Sequence, residues 1–196
     1  MLFVLSPAKS LDWSPTDRHL PTTTPALQKD FSVLMRRSKR LKSADLKSLM
    51  GISDALATLN HTRFQDMAEA PDGDRDRPAA LAFNGDVYRG LDARTLTAEQ
   101  LDWAQSRLNI LSGLYGVLRP LDLIQPHRME MGTRLKTRRG ASLYDFWGDR
   151  VTAELNRRLK DAGSDVVINL ASHEYARVVR PKALRATLIT PIFKER

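Results

Sequence analysis

Apolar and polar positions at the start of the chain predict a short buried strand followed by a loop. Residues 2–5 form an apolar run of branched and aromatic side chains, and Ser6 with Pro7 ends it. The prolines that follow disfavour a helix until after Pro25. Lys9 is therefore expected in a loop at the carboxyl end of the first strand.

An amphipathic helix is predicted next, because apolar residues recur at helical spacing from Ala26 to Leu41. The polar side of this helix becomes basic toward its C-terminal end. The basic residues at and just beyond that end are Arg36, Arg37, Lys39, Arg40, Lys42 and Lys47. This concentration of positive charge makes the segment the first candidate for contact with a polyanion.

Two further short helices are predicted directly after this basic segment. Ser43 is a suitable N-cap for the first of them, and Gly51 breaks that helix. Ser53, or the residue after it, suits the N-cap of the second helix, which should run toward Leu59. The pattern predicts a helix-hairpin-helix-like element at about residues 43–62.

The remainder of the chain alternates between helical and strand patterns. Thr97 and Gln100 form a capping-box signature ahead of a helix. The other predicted elements are a strand followed by a loop at 109–118, a helix at 143–159, and strands at 166–170 and 184–193. This alternation predicts an α/β (mixed α+β) fold, with one domain over residues 1–196 and a mixed sheet flanked by helices.

Composition and charge add a class of partner to this picture. Of the 196 residues, 42% are hydrophobic and 28% charged, as in an ordinary globular protein. The formal net charge of +8 attracts polyanions, so nucleic acid is the first partner class and an anionic membrane surface the second. The opening residues lack a basic segment and a long apolar run, so we expect no signal peptide and no membrane span, and a cytoplasmic location.

The residue types present restrict the chemistry that the chain can perform. The sequence has no cysteine, which excludes disulfides, cysteine-ligated zinc, thiolate-held iron-sulfur clusters and thiol redox sensing. The four histidines are dispersed without the spacing of a helix-borne metal pair: His19, His61, His127 and His173. We therefore predict no metal and no cofactor, and direct sequestration of iron is the least favoured function.

The predicted hairpin suggests a way to bind DNA. Residues 49–59 have the apolar-x-Gly-Ile-polar form of a helix-hairpin-helix, in which glycine lets the turn approach the DNA backbone. Main-chain N–H groups at the start of the following helix can then meet a phosphate oxygen. The predicted DNA-binding residues are Arg36, Arg37, Lys39, Arg40, Lys42, Lys47, Gly51 and Ser53. The alternative is an ordinary αα-hairpin that packs through Leu49, Ile52, Leu56 and Leu59.

A second candidate site is predicted where polar residues follow strands or glycine-rich turns. Side chains gathered at strand ends are how α/β sheets usually build a pocket, and arginines beside carboxylates suit a phosphorylated or nucleotide-like ligand. If the protein is an enzyme, the expected pocket residues are Lys9, Asp86, Arg119, Arg128, Glu130 and Glu174. The alternative is that these groups are buried pairs and turn caps without catalysis.

Five sequence motifs, in order along nearly the whole chain, resemble the YaaA family of bacterial peroxide-stress proteins. They are SPAKSL at 6–11, FNGDVYRGL at 83–91, LSGLYGVLRPLDLIQPHRMEMGT at 111–133, LYDFWGD at 143–149 and INLASHEY at 168–175. The resemblance implies an α/β fold peculiar to the family with a helix-hairpin-helix motif. It also implies DNA binding of low sequence specificity and a lowering of free intracellular iron that limits peroxide damage.

The resemblance carries the DNA-binding assignment to residues 43–59 as a region, with Ser53 where many DNA-binding hairpins have a second glycine. Family members usually continue past the final FKER through a further strand and a basic segment, so we expect an uncovered strand edge if this chain is complete. The first hypothesis is thus a DNA-binding stress protein without catalysis. Its rival is an enzyme that acts on a nucleotide-like or phosphorylated small molecule.

Overall fold

The computed structural model describes residues 1–15, 20–70 and 75–192. The strands are β1 (Leu2–Leu5), β2 (Ser10–Leu11), β3 (Arg77–Pro78), β4 (Phe83–Asn84), β5 (Leu108–Ser112), β6 (Gly116–Leu118), β7 (Leu123–Ile124), β8 (Val166–Asn169) and β9 (Thr187–Ile189). The helices are α1 (Gln28–Lys39), α2 (Ser43–Met50), α3 (Asp54–Asp66), α4 (Ala79–Ala82), α5 (Asp86–Leu91), α6 (Ala98–Arg107), α7 (Leu143–Trp147), α8 (Arg150–Asp161) and α9 (His173–Ala176).

A five-stranded mixed sheet with strand order β6-β5-β1-β8-β9 forms the centre of the protein. Strands β5, β1, β8 and β9 are parallel, and β6 pairs antiparallel with β5 at one edge. The central strand β1 is hydrophobic because both faces of the sheet are covered, and Leu2 and Val4 are buried. The predicted mixed α/β fold is therefore confirmed.

The helices around the sheet are held by a core with large aromatic side chains. Phe31 of α1 stacks on Tyr115 with ring centroids 4.4 Å apart, and Trp147 of α7 is fully buried. The indole N–H of Trp147 donates a 3.0 Å hydrogen bond to the carbonyl oxygen of Gly113, which satisfies the only polar atom of that side chain. The turn between β5 and β6 is thus fixed against α1 and α7.

Three predicted elements differ in the structure. Residues 109–118 form an antiparallel β-hairpin of β5 and β6, because Gly116 adopts a left-handed φ of 75° and the chain reverses. The predicted helix at 143–159 is two helices, since Gly148 ends α7 with a φ of 52°. The predicted strand at 184–193 is reduced to β9, and its last position, residue 193, lies outside the described residues.

The helix starts of the hairpin are partly as predicted. Ser53 is the N-cap of α3, and its Oγ accepts a 3.3 Å hydrogen bond from the Leu56 amide. Ser43 is not the N-cap of α2, because Lys42 occupies that position. The amide of Lys42 donates to Asp45 Oδ2 at 2.9 Å, so the carboxylate at the third helical position satisfies the N-cap amide at this helix start. The third helix also extends to Asp66, one and a half turns or more beyond the prediction.

Two glycines with left-handed backbones allow a prediction about stability. A Cβ at Gly116 would lie 2.8 Å from Trp147 Cζ3 and 2.9 Å from Leu27 Cδ1, whereas a Cβ at Gly51 would meet nothing within 4 Å. Gly51→Ala should therefore lower the free energy of unfolding by about 1 kcal/mol through backbone strain alone. Gly116→Ala should lower it by about 2–4 kcal/mol, because strain and overpacking combine. Urea unfolding of both variants checks this, and equal losses would contradict it.

Candidate functional site

The hairpin of α2 and α3 has a turn of three residues that presents its backbone to solvent. Gly51 is exposed in a left-handed conformation with φ 61°, and its amide donates to Lys47 O at 2.9 Å. Ile52 is buried in the core and fixes the turn from inside, whereas Ser53 is exposed. The predicted tight helical hairpin is therefore present, with glycine at the position where backbone geometry requires it.

Four of the six predicted cations around this hairpin have no carboxylate partner in the part of the chain that the structure describes. Arg37 and Lys39 donate only to main-chain carbonyls, those of Lys136 at 3.1 Å and Gln65 at 2.9 Å, so their charges are not compensated. Arg40 and Lys42 are exposed and form no ion pair within residues 1–15, 20–70 and 75–192. The end of α1 and the start of α2 thus carry a cluster of positive charge available to an anion.

The other two predicted cations are paired with acids. Arg36 binds Glu69 at 2.7 Å, and Lys47 binds Asp54 at 2.9 Å across the open side of the hairpin. Asp54 is the first residue of α3, where its carboxylate lies close to the amides that a phosphate would approach. Lys47 therefore offsets the acidic charge at this helix end in addition to any contact of its own with DNA.

The alternative of an ordinary packed hairpin accounts for only part of the apolar surface. Ile52 is buried and Leu49 is half-buried against the core. Leu56 and Leu59 of α3, however, are 38% and 43% exposed. Two of the four predicted packing residues thus face solvent rather than the core.

A second group of polar residues lies at the carboxyl edge of the sheet, where the loops after β1 and β8 meet. The Ser172 amide donates to Ser6 Oγ at 2.8 Å, and the two hydroxyls lie 3.3 Å apart. The chain leaves β1 toward β5 on one side and leaves β8 toward β9 on the other. In open α/β sheets, ligands bind in the crevice at such a switch in strand order.

Four of the six predicted pocket residues converge at this edge. Lys9 Nζ lies 3.4 Å from Glu130 Oε1, and Arg128 Nη2 binds the same oxygen at 2.8 Å. Glu174 Oε1 accepts a 2.8 Å hydrogen bond from the Gly132 amide in the same stretch of chain. The small cavity beside them, about 20 Å³, is lined by Lys9, Arg128, Glu130 and apolar and aromatic neighbours. We name these four residues, Lys9, Arg128, Glu130 and Glu174, the carboxyl-edge cluster.

Two buried tyrosines, Tyr88 and Tyr175, lie next to this edge of the sheet. Tyr88 donates from its hydroxyl to the Ser6 carbonyl oxygen at 2.7 Å, and burial raises its pKa well above the usual value. Burial, together with the negative charges of Glu174 and Glu130, also raises the pKa of Tyr175. Both phenols are therefore neutral at physiological pH and act as hydrogen-bonding groups rather than as bases.

Arg119 and Asp86 do not join the carboxyl-edge cluster. Arg119 follows β6, which runs antiparallel to β5, so Arg119 lies at the opposite, amino edge of the sheet. Its guanidinium binds the fully buried Asp122 at 2.9 Å. Asp86, at the start of α5, is 94% exposed and pairs with Arg89. The structure therefore does not bring all six predicted residues together, because β6 turns back along β5 and carries Arg119 to the other edge, and Asp86 pairs outside the cluster.

Sequence reasoning missed three arginines that lie beside Arg119. Arg107 ends α6, and Arg157 and Arg158 are in the last turns of α8. With Arg119 they line one groove at the amino edge. The sequence contains a signal for this placement, because α6 and α8 each carry an arginine in the last turn, shortly before a predicted strand. Such helices end at the amino edge of a parallel sheet.

Metal ligands and membrane-spanning helices were also sought within the described ranges. Residues 1–15, 20–70 and 75–192 hold no group of three or more His, Cys, Asp or Glu side chains suited to a metal ion. Over the same ranges, none of the helices has the length and apolar character needed to cross a membrane.

Sequence comparisons identify the family. Residues 1–196 match the profile of the family described as peroxide stress protein YaaA. The chain belongs to the YaaA family. Similar proteins include UPF0246 proteins of Ruegeria pomeroyi, Roseobacter denitrificans and Caulobacter vibrioides, with identities of 56%, 54% and 53% over 195 residues. These alignments cover 100% of this chain and 75%, 74% and 76% of the relatives.

Membership of the YaaA family confirms the resemblance seen in the five motifs and supports a role in peroxide stress. Several of the family motifs form the two sheet edges. SPAKSL and INLASHEY supply the loops after β1 and β8, and the long central motif supplies Arg119 at one edge and Arg128 with Glu130 at the other. The motif residues therefore supply the carboxyl-edge cluster, whereas at the amino edge they supply Arg119 alone among the residues that line the groove.

The buried His127 beside the carboxyl-edge cluster gives a prediction about pH. Burial lowers its pKa to about 4, while its Nδ1 hydrogen-bonds the Gln125 carbonyl oxygen at 2.8 Å. The unfolded chain binds a proton near pH 6.5, where the folded chain does not, so the free energy of unfolding should fall as the pH drops from about 6.5 to about 4. His127→Phe should lose that part of the pH dependence. Denaturant unfolding across this range measures it, and identical slopes for both proteins would contradict it.

Proposed function

We propose that this YaaA-family protein binds the DNA backbone through the hairpin of α2 and α3, with little sequence specificity, as part of its role in peroxide stress. The observation that carries the proposal is the exposed turn at Gly51 and Ser53, together with four cations without carboxylate partners at the end of α1 and the start of α2. Contacts of this kind go to phosphates and are independent of base sequence. The net charge of +8 favours the same class of partner.

The geometry suggests how the contact is made. Gly51 has no side chain to keep the DNA backbone away from the turn, and the first amides of α3 point toward the same side as the helix N-terminus. Arg40 and Lys42 lie at the end of α1 and the start of α2 and are exposed, so helix α2 separates them from the turn and they would contact a more distant part of the same DNA backbone. Lys47 holds the carboxylate of Asp54, which would otherwise repel a phosphate at this helix end.

This binding mode would serve peroxide resistance by covering DNA. Iron converts peroxide into oxidants that attack DNA close to where they form, so a protein seated on the backbone shields the sites beneath it. The YaaA resemblance also implies a lower level of free intracellular iron. We propose that shielding and lowered iron reduce the same damage, and the hairpin accounts for the first of these effects.

Removal of the two exposed, unpaired cations at the junction of α1 and α2 tests the DNA proposal. Because each lost phosphate contact reduces the slope of log affinity against log salt by about 0.9, Arg40→Gln with Lys42→Gln should reduce the slope by about 1.8. The loss of affinity should be similar for duplexes of different sequence. A titration of fluorescent duplex DNA across a salt series measures both quantities.

A charge-matched control separates the hairpin from net charge. Lys29 and Lys182 are exposed and lie outside the hairpin, so Lys29→Gln with Lys182→Gln removes the same charge and should leave the salt slope unchanged. Equal slopes for the wild type and the hairpin variant would place DNA binding elsewhere. Equal reductions of the salt slope in both double variants would show that the effect comes from net charge alone.

The convergence of the carboxyl-edge cluster favours a second candidate function, an enzyme for a nucleotide-like or phosphorylated small molecule. Lys9 and Arg128 supply positive charge at the switch in strand order, and Glu130 is shared between them. The neutral phenol of Tyr175 supplies a further polar group to the same cavity. Such a constellation binds an anionic group and orients it next to a carboxylate.

Lys9 is 69% exposed, so its replacement can test this second candidate without disturbing the core. If the carboxyl-edge cluster binds a nucleotide, ATP should raise the melting temperature of the wild type, and Lys9→Gln should abolish most of that increase. Lys29→Gln is the control for the loss of one positive charge. An ATP effect of the same size in Lys9→Gln would contradict a site at the carboxyl edge.

A further inference from the structure

A groove of about 240 Å³ at the amino edge of the sheet is lined by guanidinium groups and belongs to neither site proposed above. The parallel topology of the sheet explains why these guanidinium groups lie close together. Helices α6 and α8 each end just before a parallel strand begins, and β6 returns to the same edge because it runs antiparallel to β5. The residues of this arginine groove that matter here are Arg107, Arg119, Arg157, Arg158, Asp161 and Ala162.

Arg158 is the observation that points to a ligand. Its side chain is only 7% exposed, and its Nε donates to Glu154 Oε1 at 2.9 Å while Nη1 donates to Asn109 Oδ1 at 2.6 Å. The remaining nitrogen, Nη2, is buried and has no hydrogen-bond partner in the part of the chain that the structure describes. Buried polar groups are almost always paired, so an unpaired guanidinium nitrogen on the wall of a groove calls for an acceptor.

The neighbouring guanidiniums also retain unused donors. Arg107 forms a single hydrogen bond within the described residues, from Nη1 to the Ala162 carbonyl oxygen at 3.2 Å, and has no carboxylate partner there. Arg119 directs Nε and Nη2 to Asp122, with Nη2 also 3.5 Å from the Thr24 carbonyl oxygen, and its Nη1 donates no hydrogen bond to any residue that the structure describes. Burial lowers the pKa of Arg158, and the nearby positive charge of Arg119 acts in the same direction.

The carboxylates around the groove are already engaged. Asp122 accepts from Arg119, Glu154 accepts from both Arg157 and Arg158, and Asp161 accepts from Arg157 at 2.6 Å. Four arginines therefore face three carboxylates, which leaves one positive charge in excess. The partial negative charge at the ends of α6 and α8 explains why arginines gather here, and Arg107 does cap α8. It does not explain the unpaired nitrogen of Arg158.

We propose that the arginine groove binds the phosphate group of a small phosphorylated molecule. Three guanidiniums offer donors from three elements of the fold, which suits a tetrahedral group with several oxygens better than a planar carboxylate. A small molecule fits better than a DNA strand because the key donor is buried, and because the carboxylate of Asp161, 59% exposed, would repel adjacent phosphates of a duplex.

Pyrophosphate is the probe that tests this site, with affinity measured by calorimetry at constant ionic strength. Arg107→Gln removes one guanidinium, while the glutamine amide can still donate to the Ala162 carbonyl oxygen, so this variant should fold. Its affinity for pyrophosphate should be at least about tenfold lower than that of the wild type. Arg107→Lys, which keeps the charge, should bind with intermediate affinity. The side-chain NMR signal of Arg158 Nε–Hε should shift on addition of pyrophosphate to the wild type.

Two variants from the other sites decide where the probe binds. The pyrophosphate binding that Arg107→Gln weakens should remain in Lys9→Gln and in the double variant Arg40→Gln with Lys42→Gln. The proposal is overturned if pyrophosphate does not bind, if Arg107→Gln leaves its affinity unchanged, or if only Lys9→Gln weakens it. It is also overturned if Arg107→Gln weakens duplex DNA and not pyrophosphate, because the groove would then belong to the DNA surface.

Discussion

The parallel pairing of β1 with β5 on one side and with β8 on the other is the constraint on which both candidate pockets depend. Because the three strands point the same way, the loops that follow β1 and β8 meet at one edge and bring Lys9 toward Glu130. The helices that precede β5 and β8 must then end at the other edge, where Arg107 and Arg158 face one groove. Each pocket thus follows from strand direction, and neither requires residues close together in sequence.

The hairpin stands apart from the sheet and depends on a different balance. Ile52 and Leu46 anchor it in the core, while Gly51 lets the chain reverse within three residues. Its electrostatics are mixed, because Asp54 lies at the helix end that a phosphate would approach, and Lys47 neutralises it. The uncompensated cations lie at the end of α1 and the start of α2, so helix α2 separates them from the turn. A backbone contact of low sequence specificity is the kind of recognition that such an arrangement supports.

Short sequence patterns were sufficient to predict helices and strands and the hairpin of α2 and α3. The apolar run of β1, the Thr97 capping box and the Ser53 cap were all readable in sequence, since each depends on residues within one turn or strand. Arg119 was misplaced because the reversal at Gly116 depends on packing against Trp147, which no local pattern shows. The pairing of Lys47 with Asp54 was missed for a related reason. Whether two side chains meet across a turn depends on the three-dimensional path of the turn. The sequence of Lys47 and Asp54 shows only that one is basic and the other acidic.

Hydrogen–deuterium exchange of the chain with and without duplex DNA tests the central claim most directly, because it reads the turn itself rather than the overall affinity. If the hairpin binds the backbone, the amides of residues 51–56 should exchange more slowly in the complex, while the amides around the arginine groove should be unaffected. The Gly51 and Ile52 amides already donate to Lys47 O and the Leu56 amide to Ser53 Oγ, so the amides of residues 53–55 should report the DNA effect most clearly. DNA binding that leaves the turn unprotected and slows exchange elsewhere would contradict the account.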